Sequence, residues 1–113
     1  MIPKALVAAS TRALILAILA NHEESYGYEI IQEVKRLSGG MMNWQDGMLY
    51  PVLHRLEQEG LIVARWGRSE KGRKRKYYRL QQAGQVALQA EVEHWLQVHA
   101  TIMKALSAQP SAG

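Results

Sequence analysis

Projected on a helix, Gly47, Tyr50, Pro51, His54, Arg55 and Gln58 share one arc, and Leu49, Val52, Leu53 and Leu56 share the other. Hydroxyl, imidazole and guanidinium groups on one helical face are groups that read base edges, and an α-helix fits the major groove of B-DNA. Directly downstream come Arg65, Arg68, Lys71, Arg73, Lys74, Arg75, Lys76 and Arg79, with Glu70 the single acid among them. These are eight of the 14 Lys and Arg residues and give residues 65–79 a charge of +7; against +4 overall, the remainder is −3. Such concentration beside a polar helix suits a polyanion that offers phosphates next to a readable groove. Gln45, Met48, Tyr50, Pro51, His54 and Arg55 are the candidate groove contacts. Arg68, Lys71, Arg73, Lys74, Arg75 and Lys76 are the candidate phosphate contacts, which position a protein without specifying sequence. Each half alone has a plainer reading, as an ordinary surface helix and as a solvated basic loop. A surface for anionic lipid is a third reading of the loop, but no apolar insertion face accompanies it.

The elements that must position these residues follow from periodicity. Residues 1–9 are weakly patterned, with Pro3 suited to a first helical turn. Thr11 to Ala20 reads as a helix ending at Asn21-His22. Ser25 is a candidate cap for a second helix, Tyr26 to Leu37, with Ile30, Ile31, Val34 and Leu37 as its buried stripe. Gly27, near its start, suggests close approach of another backbone. Gly39-Gly40 ends that helix, and the third runs from Asp46 to Glu59, starting at Gln45 or Asp46 and stopped by Gly60. Leu61 to Trp66 and Arg75 to Leu80 alternate as two strands around a loop marked by Gly67 and Gly72. Tyr78 and Leu80 face inward; Tyr77 and Arg79 face outward.

A final helix spans Ala83 to Leu106, and Leu88, Val92, Trp95, His99, Ile102 and Leu106 follow one another at spacings of about 4 and 3, a coiled-coil-like seam. So long a seam exceeds what a domain of this size buries, which points to a two-fold homodimer; packing wholly within one chain is the alternative. Trp95 on that seam is interface filler, or, if the dimer leaves a gap at its axis, a stacking surface for a flat aromatic ligand. Cys is absent, which removes disulfides and thiolate metal sites. His22, His54, His94 and His99 form no ligand cluster, and no phosphate cradle, nucleophile elbow or acid–base pair is visible. No metal, cofactor or enzymatic activity is expected. The longest apolar run, Ala13 to Ala20, is far short of the ~20 residues of a membrane span. No signal peptide is apparent. A cytoplasmic protein without membrane attachment is the expectation.

The segments GMLYPVLHRLEQEGLI and GRKRKYYRL closely resemble the PadR family of bacterial transcriptional regulators, and ILAILANHEESYGYEI resembles the first two helices of that family. The resemblance runs from about Ala13 to Leu106. It implies a winged helix-turn-helix domain with a C-terminal dimerisation helix, acting as a repressor released by a phenolic acid or hydrophobic drug. The single short C-terminal helix resembles the compact subgroup with multidrug-sensing members, which implies a ligand role for Trp95, with His99 its neighbour one turn on. Three positions depart from the family pattern: Met48 replaces a small hydroxyl residue, Gln81 replaces a Thr that caps the last helix, and Lys74 replaces a Pro. Loss of that cap costs about 1 kcal/mol.

The fold expected is mainly α with a small β-hairpin. Residues 1–80 form the winged helix-turn-helix domain, 81–107 the dimerisation helix, and 108–113 a disordered tail. The expected function is that of a DNA-binding, ligand-responsive repressor working as a homodimer. Its partners are double-stranded DNA, a second copy of itself, and a flat aromatic or phenolic small molecule. A dimeric small-molecule or protein-binding module that no longer reads DNA is the alternative, with Met48 as its only hint.

Overall fold

The computed structural model describes residues 2–108. Its elements are α1 (Lys4–Ala20), β1 (Ser25–Tyr26), α2 (Gly27–Leu37), α3 (Asp46–Gln58), β2 (Ile62–Arg68), β3 (Lys74–Leu80) and α4 (Gln82–Ser107). The antiparallel sheet has the order β1-β3-β2. The apolar faces of α1, α2 and α3 converge with the base of the hairpin, and Ile15, Leu16, Leu19, Ile30, Leu49, Leu53, Leu56 and Ile62 are fully buried there. Each such side chain contributes roughly 1.5–3 kcal/mol on leaving water, an upper figure because the unfolded chain already buries some of it.

Several expectations need correction. Residues 4–9 are helical: α1 begins at Lys4, with Pro3 as its N-cap, and the Pro3 carbonyl accepts from the Leu6 and Val7 amides. Ser25 does not cap α2. It pairs with Tyr78 in β1, its hydroxyl donates to Glu29, and Tyr26 is the N-cap. Leu37 is the last residue of α2 and is 58% exposed rather than buried. Gly67 belongs to β2, opposite Arg75, not to the loop. A Cβ there would meet the Arg65 guanidinium at 2.7 Å and the Tyr77 ring at 3.0 Å, so glycine serves side-chain packing across the sheet. The hairpin strands reach further than expected, Arg68 pairing with Lys74.

Two contacts unforeseen in the sequence fix how α4 leaves the domain. The Gln81 amide donates to the Leu61 carbonyl at 2.9 Å, and Gly84 lies so close that a Cβ would sit 2.1 Å from that oxygen. Gln81 is the N-cap and makes no side-chain cap bond, in keeping with the weaker cap expected there. Two turns further on, Arg12 of α1 donates to Glu91 of α4 at 2.8 Å and to Glu59, just past α3, at 2.6 Å. Burial opposes the Arg12 charge, but the two carboxylates outweigh it and hold the guanidinium pKa above its ordinary value. Ala87 and Leu88 pack on the core, and from Val92 to Ser107 every residue of α4 is exposed. A helix of 26 residues is about 39 Å long, which accounts for the 71 × 30 × 21 Å outline. Among the described residues no helix is long and apolar enough to cross a membrane.

Candidate nucleic-acid interface

Helix α3 begins where extended backbone at Gln45 turns its carbonyl toward the Met48 and Leu49 amides, at 3.0 and 3.1 Å. Leu49, Leu53 and Leu56 anchor it, with Val52 half-buried, so Gly47, Tyr50, Pro51, His54, Arg55 and Gln58 all face outward. Pro51 lies inside the helix, in its second turn, so the amide that would donate to the Gly47 carbonyl is missing there. Gly60, at φ 74°, ends the helix, and the Leu61 amide closes it onto the Leu56 carbonyl. Gln45 is exposed at the start of this face.

Met48 departs from the outward set. It is half-buried against the core and lines a groove with Ile2, Val7, Met41 and Met42, beside the start of α1. A thioether gains more from that apolar contact than from water, and Met48, four residues before the half-buried Val52, lies at the edge of the buried arc of α3. The close approach expected at Gly27 is real, but a side chain makes it: the Tyr50 hydroxyl lies 2.3 Å from where a Gly27 Cβ would be. Tyr50 therefore has its ring against the start of α2 while remaining 43% exposed. Burial, then the nearby Asp46 charge, pushes its pKa up, so Tyr50 is a neutral hydrogen-bond donor at physiological pH.

The hairpin stands beside α3. Its tip is tied by the Ser69 amide to the Arg73 carbonyl at 2.8 Å and the Gly72 amide to the Ser69 carbonyl at 2.9 Å, with Gly72 at φ 80°. Arg68 donates to the Gly72 carbonyl at 3.0 Å, so one of its donors holds the tip. Lys71, Arg73 and Lys74 are exposed around it. The cations nearer the sheet are engaged. Arg75 lies 3.8 Å over the Tyr26 ring, Lys74 lies 5.0 Å over Trp66, and Lys76 reaches Glu57 of α3 at 3.2 Å. Arg65 binds Glu24 through two nitrogens and holds that carboxyl below its usual range.

An open cleft of about 590 Å³ separates hairpin and α3, lined by Tyr26, Tyr28, Tyr50, His54, Trp66 and Tyr78 with Lys74, Arg75 and Lys76. Tyr26, Trp66 and Glu57 escaped the sequence reading. The pairing of Trp66 with Lys76 across the strands follows only from the register. The structure thus brings Tyr50 and His54 of α3 into one cleft with Lys74, Arg75 and Lys76, whereas Arg68, Lys71 and Arg73 line a second recess with Tyr26 and Tyr77, and Trp95 and His99 lie on the exposed part of α4. Along the seam Leu88 is half-buried, whereas Val92, Trp95, His99, Ile102 and Leu106 are exposed. In that region a recess of about 130 Å³ lies between His94, Trp95 and Val98, below the ~300 Å³ of an ordinary ligand site. Among the described residues no three His, Asp or Glu side chains gather as a metal site would require.

A helix-turn-helix with a basic wing and an extended last helix has known counterparts. The model of the PadR-like family of transcriptional regulators matches residues 15–90. A transcriptional regulator of Mycobacterium tuberculosis, Rv3488, is 40% identical over 80 residues, covering 71% of this chain and 70% of its own. The Escherichia coli transcriptional regulator YqjI is 33% identical over 86 residues, 76% of this chain but 35% of its own length. Among solved structures, a transcriptional regulator from Clostridium thermocellum superposes with a TM-score of 0.83 at 27% identity, covering 92% of this chain and 97% of that one. A PadR-like regulator from Bacillus cereus gives 0.77 at 27% identity over 94% of this chain and all of its own. With the family model spanning residues 15–90 and the fold matching over 92% of the chain, the protein belongs to the PadR-like family of DNA-binding transcriptional regulators.

Proposed function

We propose that the chain is a cytoplasmic repressor that binds its operator as a homodimer and releases it on taking up a flat aromatic or phenolic molecule beside Trp95 and His99. The observation that carries this reading is the seam on α4: Trp95 is 37% and Leu106 66% exposed, although spaced to pack against another helix. A second copy laid on that seam buries both. Two-fold symmetry then presents two α3 helices to successive major grooves about 34 Å apart. Tyr50, Pro51, His54 and Arg55, with Gln45 at the helix start, meet the groove, and Arg68, Lys71, Arg73, Lys74 and Arg75 grip phosphates. Paired indoles across the axis enlarge the shallow recess at Trp95 into a stacking site for a planar ligand. The binding-module alternative leaned on Met48, and its inward packing leaves the outer face of α3 unaltered.

The test joins two measurements on the same protein. Sedimentation should give a dimer, and Ile102→Glu with Leu106→Glu should give a folded monomer. Titration of DNA from its own promoter over a salt series should show selective binding that fades steeply with salt. A wild-type monomer refutes the dimer. Absence of selective binding at low salt refutes the repressor, and quenching of indole fluorescence that persists unchanged in Trp95→Phe refutes the ligand site.

A further inference from the structure

Cations on the hairpin are not equivalent. Lys71, Arg73 and Lys74 are exposed, whereas the Lys76 side chain is 31% exposed and its Nζ lies 3.2 Å from Glu57 Oε1, 5.5 Å from the Tyr78 ring and 5.8 Å from the Trp66 ring. Glu57 occupies an awkward place. It is in the last turn of α3, where the helix dipole disfavours a carboxylate, and on the element that faces DNA phosphates. A single cation satisfies it. If Lys76 swung out to a phosphate, Glu57 would be left unpaired at the negative end of a helix beside a polyanion. The contact also joins two elements that share no backbone ladder: β3 is bonded to β2 and β1, while α3 runs into β2 through the turn at Gly60 and meets the base of the hairpin through the buried core, below the level of Lys76.

We infer that Glu57 and Lys76 form a strut that fixes the angle between recognition helix and wing, so that Lys76 supplies operator selectivity and not a phosphate contact. The inference rests on the reading that α3 and the hairpin face DNA. A wing held at one angle lets its phosphate contacts form only when α3 sits in its own groove register. A loose wing grips phosphates in many registers, which raises non-specific binding at the expense of discrimination.

The experiment compares wild type, Lys76→Met and Glu57→Gln on operator and random duplexes across a salt series, and then measures unfolding midpoints of both variants and their double without DNA. Lys76→Met removes the charge and keeps an unbranched apolar side chain of similar length. It should leave the salt slope unchanged and lower the operator-to-random affinity ratio by about 3- to 10-fold, a coupling ordinary for residues of one network. Glu57→Gln frees a lysine, so it should tighten random binding and steepen the slope by about 0.9. The midpoint shifts of the two variants should not sum to that of the double. A slope flattened by about 0.9 in Lys76→Met makes Lys76 a phosphate contact and overturns the proposal. So does an unchanged affinity ratio, and so do additive midpoints, which need no DNA. Wild type without selectivity rejects the DNA reading and the strut's role with it, while the midpoints still decide whether the contact exists.

Discussion

Replacing Gly84 by Ala adds one methyl group where α4 leaves the domain, and two effects oppose each other. Glycine costs a helix interior about 1 kcal/mol relative to alanine, so propensity alone predicts stabilisation. Gly84 is buried, however, and its Cβ would lie 2.1 Å from the Leu61 carbonyl oxygen and 2.6 Å from a Leu80 methyl. Leu80 is the end of a side chain and can rotate. The Leu61 carbonyl cannot yield, because it accepts the Gln81 amide at 2.9 Å and sits in the turn that closes α3. The overlap is about 1 Å against ordinary contact, so α4 must lift, straining the Arg12–Glu91 bond and the packing of Ala87 and Leu88. Overpacking costs about 1–3 kcal/mol and more where backbone blocks relief, and Gly84 lies in the first turn, where the propensity gain is smaller. The net expectation is destabilisation of about 1–3 kcal/mol, or a midpoint lower by roughly 4–12 °C for a domain of this size. Circular dichroism melts at one fixed concentration measure it, with exposed Gln89→Ala as the control expected near zero. A Gly84→Ala midpoint equal to or above wild type would refute the packing argument.

Arg73→Ala with Lys74→Ala should weaken binding to all duplexes alike and flatten the salt slope by about 1.8, read by titration at several salt concentrations. An unchanged slope removes the wing tip from the interface. His54→Ala should alter base preference at one operator position, a discrimination worth about 1–3 kcal/mol, and a selection experiment returning the wild-type profile rejects His54 as a reader. Tyr78 predicts an alkaline effect: burial, then the Glu57 charge and Tyr50, pushes its phenol from an ordinary 10.0 up to about 12. The folded state holds the proton more tightly, so the contribution is complete below the unfolded value and is lost as pH rises from about 10 through about 12. Urea unfolding across that range should decline less steeply in Tyr78→Phe than in wild type. Parallel curves for the two proteins would discard the assignment.

Periodicity and local chemistry were enough to determine the four helices, the hairpin and the outward arc of α3, because each of these is dictated by neighbours a few residues away. Leu49, Leu53 and Leu56 are buried at the spacing that predicts it, and Gly39, Gly40, Gly60 and Gly72 stand at positive φ where breaks were expected. Clustering of charge in residues 65–79 was equally legible, and so was the likeness to PadR regulators. Contacts between distant segments were not. A strand of two residues, β1, has no period to detect, and it exists only because Tyr77 and Tyr78 offer it an edge. Gly27 signalled a close approach, yet only the packing of α3 on α2 made Tyr50 the occupant. Nothing in the local sequence marks Gly84, and only the fold brings the Leu61 carbonyl against it. The fate of each cation was likewise a tertiary matter: composition counts Lys76 and Lys74 alike, but Glu57, distant in sequence, neutralises one and leaves the other exposed. Sequence periodicity determines which face a helix buries. Which single atom meets it there is decided by how independently formed elements come together.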